Sequence, residues 1–182
     1  MDSCSTRLFA GALLAVTLSL WPSVARSDAP ARDPLLFSIT KTENRNYVQF
    51  AVRVDARCVP EGAAPVHEWW RMLEHGPEAT EPLLSQEQPA YGIASQQVTT
   101  VRDDGGEVRI ALRALSDRSL VVETRRAPSG ACEAFARTSI GGADARLYNV
   151  HAVLAWPFGV SKLLISGWEM ASGRVVREDR RP

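Results

Sequence analysis

The sequence predicts an all-β protein, an antiparallel β-sandwich or a closed β-barrel with one short helical turn. Three observations carry this expectation. Apolar residues recur at every second position in many short segments, the period of a pleated strand with one buried face. Turn residues separate those segments at roughly ten-residue spacing. No long stretch shows the apolar period of an amphipathic helix.

Ordered structure is expected from Leu35, with a first strand over Leu35 to Lys41. Val48, Phe50, Val52 and Val54 then alternate with Gln49, Ala51 and Arg53, and Pro65 to Met72 follows. Ser85 is placed to cap a helical turn whose fourth residue is Gln88. Glu87 lies near its positive end and Pro89 limits its length. Ala94 to Val101 leads into Asp103-Asp104-Gly105-Gly106, a hairpin signal. Val108, Ile110, Leu112 and Ala114 alternate with Arg109, Ala111 and Arg113. The remaining strands are Arg118 to Arg125, Ala131 to Ile140, Ala145 to Ala155, Val160 to Met170 and Arg174 to Glu178. Pro128-Ser129-Gly130, Gly141-Gly142 and Ser172-Gly173 punctuate them. A transmembrane barrel also alternates, but these segments are uneven and the final Arg180-Arg181-Pro182 seats no aromatic ring in a headgroup layer.

Ahead of the strands, Arg7, an apolar run from Leu8 to Trp21 and the small-residue site Ser23-Val24-Ala25 have the three parts of a secretory signal peptide. Residues 1–25 are therefore expected to be removed and the protein exported to the periplasm or beyond, with no transmembrane segment left after cleavage. Residues 26–34 suit a flexible leader, and 35–182 a single β domain. Cys4 lacks the context of a lipoprotein. That leaves Cys58 and Cys132 as a natural disulfide pair in an oxidising compartment. The chain balances 21 basic against 21 acidic residues, which argues against nucleic acid as a partner. Arg174, Arg177, Arg180 and Arg181 are interleaved with Glu178 and Asp179 and read as a solvated charged end.

The order of several short segments resembles the uncharacterised bacterial family catalogued as domain of unknown function 4833. The matching residues are Asn44-x-Asn46-Tyr47-Val48, Pro65-Val66 with Trp70, Glu81-Pro82-Leu83-Leu84 with Glu87, and Ala90-Tyr91-Gly92-Ile93. Leu115-x-Asp117-Arg118, Gly141-Gly142 with Ala145-x-Leu147, and Gly167 with Gly173-x-Val175-Val176-x-Glu178 complete the pattern. Its specificity lies in the order of the pieces. The resemblance implies no particular activity, since none is established for that family. Neither the cysteines nor the pairing of Trp69 with Trp70 belongs to the pattern, so nothing carries over to them.

Catalytic motifs fail one by one. His67-Glu68-Trp69-Trp70-Arg71 has Arg71 where a zinc protease needs its second histidine, and His67, His75 and His151 could meet at a metal only through tertiary structure. Gly159-Val160-Ser161-Lys162-Leu163 lacks the final glycine of a nucleophile elbow, and Ser161-Lys162 has the wrong spacing for a Ser-x-x-Lys acyl enzyme. Neither cysteine has a transpeptidase context. No metal, cofactor or catalytic residue is expected.

Glu81 and Glu87 flank the helical turn that leads to Tyr91. With Arg118 nearby, Glu87 and Tyr91 could line a pocket for a polar ligand; the competing role is scaffold, with Glu87 starting the turn and Tyr91 filling the core. On a strand, Trp69 and Trp70 face opposite ways. Trp70 shares a face with Val66 and Met72 and is assigned inside, leaving Trp69 as either a contact surface for a protein or glycan or a ring covered by a loop or a neighbouring strand. The candidate binding residues are thus Glu87, Tyr91, Arg118 and Trp69. The function expected from these features is an exported, non-enzymatic β domain that binds a ligand or protein partner of the cell envelope. The alternatives are an envelope hydrolase using Glu87 and a second carboxylate, or a structural component of an envelope assembly.

Overall fold

Strands dominate because period-two apolar segments can bury one face each, and in the computed structural model they join one eleven-stranded sheet. It describes residues 33–155 and 159–181; the expected signal peptide and most of the leader lie outside them. The strands are β1 (Leu35–Lys41), β2 (Tyr47–Val52), β3 (Val66–Arg71), β4 (Thr80–Glu81), β5 (Ile93–Arg102), β6 (Gly105–Leu112), β7 (Ser119–Arg126), β8 (Cys132–Ile140), β9 (Ala143–Ala155), β10 (Gly159–Glu169) and β11 (Val175–Arg180). Pro34, one residue ahead of β1, already takes part in the sheet: its carbonyl accepts the Val52 N–H at 3.1 Å.

The long strand β9 organises the sheet. One of its edges pairs with β8 through Ala143–Leu147 and then, in parallel, with β1 through Asn149–Ala152. Its other edge pairs with β10 along almost its whole length. Two arms therefore leave β9, one running β1-β2-β3-β4 and the other β8-β7-β6-β5. The β9–β10 ladder carries two bulges, with Ser161 extra in β10 and Tyr148 extra in β9. At one of them stands Gly167, where a Cβ would lie 2.6 Å from both the Arg146 carbonyl and the Ile140 side chain.

The arms share one core that includes Ile39, Val48 and Phe50 from one side and Val108, Ile110, Leu120 and Val122 from the other. Their far ends meet without closing. On β5, the Gln96 side chain accepts the Val66 N–H at 2.9 Å and donates to the Val66 carbonyl at 3.0 Å, imitating a strand partner for β3. A short helix α1 (Gln88–Tyr91) sits at the same gap, with Gln88 reaching Glu68 on β3 at 3.4 Å. The closed barrel is thus not formed, because the seam between β3 and β5 is bridged by side chains and not by a backbone ladder.

Some local details differ from expectation. Ser85 does not cap α1; Glu87 occupies the cap position with no side-chain cap bond, and Pro89 lies in the first turn. Proline starts a helix readily there because first-turn N–H groups need no intrahelical partner. The expected strand through Ala114 breaks earlier, into a 3-10 turn over Arg113–Leu115.

Cys58 and Cys132 form a disulfide with Cα atoms 5.3 Å apart, closing a separation of 74 residues. Such a loop is worth up to about 4 kcal/mol in the chain-entropy model. It fastens the loop after β2 to the start of β8. In that loop the Asp55 carboxylate accepts the N–H groups of Arg57 and Val59 at 2.8 and 2.9 Å, and the Val59 bond leads in holding its acid below the ordinary carboxylate range.

Candidate functional site

Strand β3 presents His67, Trp69 and Arg71 on its outer face, and β2 sets Tyr47 opposite Arg71 and Gln49 opposite Trp69. Together with Asp33, Leu35, Glu78 and Thr80 these side chains line an open groove of about 740 Å³. The groove is largely tied down by its own contacts. The His67 and Trp69 rings stack with centroids 5.3 Å apart at 24°. His67 Nε2 lies 3.4 Å from an Asp33 carboxylate oxygen. Gln49 donates to the Phe37 carbonyl at 2.9 Å. Arg71 donates to the Pro77 carbonyl and lies near Glu78. What remains toward solvent is the Trp69 ring, Tyr47 and the free valences of polar groups of both signs. That combination can stack a flat apolar face and hydrogen-bond hydroxyls around its rim.

On the opposite face of β3, Trp70 is only 5 % exposed. Its indole N–H donates to Glu87 at 2.8 Å, and the same carboxylate oxygen accepts the Leu84 N–H at 2.9 Å. Tyr91 meets the Trp70 ring edge-on at 5.2 Å, and the Lys41 ammonium lies 5.0 Å from the ring centroid. Burial, then the nearby Glu43 and Glu87 carboxylates, push the Tyr91 hydroxyl up from its ordinary value. Beside Trp70 is a small cleft of about 160 Å³ whose lining includes Lys41, Asn44, Asn46, Glu81 and Glu87. Asn46 is nearly buried and exchanges hydrogen bonds with Glu74, its Nδ2 donating at 3.3 Å and its Oδ1 accepting the Glu74 N–H at 3.3 Å.

Of the four residues singled out in the sequence, the structure brings Glu87 and Tyr91 together on Trp70. Arg118 has other partners. Its guanidinium grips Glu178 on β11 through two bonds of 2.6 and 3.0 Å. It also donates to Asp117 at 3.0 Å and to the Ser139 carbonyl at 2.8 Å. Glu178 in turn accepts the Gly141 N–H at 2.9 Å. The Arg118 bonds hold the acids of Glu178 and Asp117 below the usual carboxylate range. Arg118 is thus a clamp between β11 and the turn after β8, and shares no partner with Glu87 or Tyr91. Trp69 lies on the far side of β3 from both.

The three histidines contact different partners, Asp33, Glu81 and Thr40. Among the described residues no cluster of three or more His, Cys, Asp or Glu could hold a metal ion, and no helix is long and apolar enough to cross a membrane. Tyr47 and Gln49 escaped the sequence reading, and His67 and Arg71 were weighed there only against a zinc motif and not as neighbours of Trp69 in a groove. Their signal is present as two outward sets, Tyr47-x-Gln49 and His67-x-Trp69-x-Arg71, but it joins only when β2 and β3 are known to pair in this register.

The profile of the family described as Domain of unknown function (DUF4833) matches residues 37–179, nearly the whole of the described sheet. No match is found among curated proteins or among solved structures.

Proposed function

The chain belongs to this family of domains of unknown function, a membership that fixes no reaction, and on the geometry of the outer groove we propose that it is an exported, non-enzymatic binding domain for a hydroxyl-rich ligand of the cell envelope. The observation that carries this is the Trp69 ring, backed by His67 in a groove of about 740 Å³. A sugar lays its C–H face on such a ring, and its hydroxyls find partners in Asp33, Gln49, Arg71 and Glu78. The lining carries both signs of charge, which favours a neutral ligand over a polyanion. The disulfide and the N-terminal leader sequence support export.

A panel of soluble envelope-derived oligosaccharides, titrated by calorimetry, tests the proposal. Binding by the wild type and loss of about fivefold or more in affinity in Trp69→Ala are expected, a stacked aromatic being worth about 1 kcal/mol or more. Silence across the panel from folded protein, or binding untouched by Trp69→Ala, overturns it.

A second reading is favoured by one observation: Glu81 and Glu87 line the same small cleft. An envelope hydrolase would need two carboxylates about 5 to 10 Å apart across such a cleft. It ranks below the first because Glu87 already holds Trp70 and Leu84. Hydrolysis abolished by Glu87→Gln in a folded variant would promote it.

A further inference from the structure

Of the large apolar side chains left exposed among the described residues, three gather where β10 turns into β11: Trp168 at 42 %, Met170 at 44 % and Val175 at 51 % exposure. Trp168 and Val175 are cross-strand partners. Met170 continues the ladder, its N–H donating to the Asp144 carbonyl at 2.9 Å, so period two keeps it on the face of Trp168. The Trp168 ring rests against Tyr148 with centroids 4.3 Å apart.

Cations surround this patch. Arg146, opposite Trp168 on β9, sets its guanidinium 6.0 Å from the Trp168 ring and 5.5 Å from Phe135, while Arg125 covers Phe135 at 5.7 Å. Between them is a cleft of about 180 Å³. The acids nearby are already matched: Glu133 lies 3.1 Å from Arg125, and Glu169 accepts from Ser172 and lies 3.4 Å from Arg174. Arg146 has no ion-pair partner among the described residues, and neither has Arg177, two residues beyond Val175 on the same face of β11. The Trp168 indole N–H likewise donates to no described residue.

The geometry points to the β10–β11 tip as a docking surface for an anionic lipid bilayer. Trp168, Met170 and Val175 enter the boundary between headgroups and acyl chains, and Arg146 and Arg177 face lipid phosphates. Tryptophan suits that depth because its ring is apolar while its N–H stays near polar headgroups. A stable protein interface needs about 800 Å² per partner, more than three side chains supply, whereas peripheral lipid binding needs only a modest apolar insertion plus positive charge.

The test is co-sedimentation of the full chain with vesicles of phosphatidylcholine alone and of equimolar phosphatidylcholine and phosphatidylglycerol. Wild type and variants carry the same N-terminus, so the differences between them report on the β10–β11 tip. Wild type should partition onto the mixed vesicles and release them as salt rises. Trp168→Ser combined with Met170→Ser should weaken partition by about tenfold or more, and Arg146→Gln by about fivefold. Circular dichroism confirms that each variant is folded; should the double variant unfold, the exposed Arg146→Gln carries the test alone. Equal partition onto both vesicle types, folded variants indistinguishable from wild type, or full displacement by soluble glycerol phosphate would overturn the proposal. So would a wild-type dimer in light scattering that the double variant dissociates, which would assign the patch to a second copy of the chain.

Discussion

Two regions separated by the thickness of one strand use the same residue type in different ways. On the outer side of β3, Trp69 stacks on His67 in an open groove, and its indole N–H has no partner among the described residues. On the inner side, one residue along, the Trp70 ring is met by Tyr91 and Lys41, and its N–H is held by Glu87. The difference shows that a tryptophan becomes structural when a neighbouring element supplies a carboxylate to its N–H. Helix α1 and the loop before it do this for Trp70. Among the described residues nothing equivalent holds the Trp69 N–H, and that open side is what the proposed binding role uses.

The largest effect should fall on the inner residue. Trp70→Ala removes a buried ring from the core and should cost about 3–5 kcal/mol, read from the urea midpoint, against less than about 1 kcal/mol for Trp69→Ala. Comparable losses from the two would break the contrast. Next comes the Glu87 bond. Glu87→Ala leaves the N–H groups of Trp70 and Leu84 unpaired and should cost about 1–3 kcal/mol. In a double-mutant cycle with Trp70→Phe, a coupling of about 0.5 kcal/mol or more is expected, and additivity would show that Glu87 does not hold the ring.

Acid supplies a smaller, sharper comparison. The folded-state acids of Glu178 and Asp117 lie below their ordinary values because of Arg118. Their contribution is therefore present above the unfolded carboxylate pKa and is lost as pH falls through the lower folded values. Melting temperatures should fall as pH drops below the ordinary carboxylate values of about 4, and Glu178→Gln should flatten that fall. An unchanged acid profile in the variant would remove the clamp from the explanation. The smallest stability effect belongs to Trp69→Ala, whose melting temperature should stay near wild type while oligosaccharide affinity drops.

The strands were legible in the sequence wherever one face is buried, as in Val48-x-Phe50-x-Val52, because burial imposes the period directly. The opposed faces of Trp69 and Trp70 follow from the same period, and the disulfide partners from cysteine number. Long-range pairing was not legible. The parallel contact of β1 with β9 joins Ser38 to Asn149, and no local pattern encodes a partner so distant. Arg118 illustrates the limit at the candidate site: its neighbourhood in sequence suggests a pocket, but Glu178 and the Ser139 carbonyl claim its guanidinium from elements far along the chain. Gln96 likewise reads as an ordinary strand residue until β5 is found beside β3.

The most direct measurement is a titration followed through the indole N–H signals of 15N-labelled protein, assigned with Trp69→Phe and Trp70→Phe, using the oligosaccharide that binds. The Trp69 indole signal should move with saturation while the Trp70 signal, locked on Glu87, stays in place. Movement of Trp70 with Trp69 unperturbed would contradict the outer groove as the ligand site.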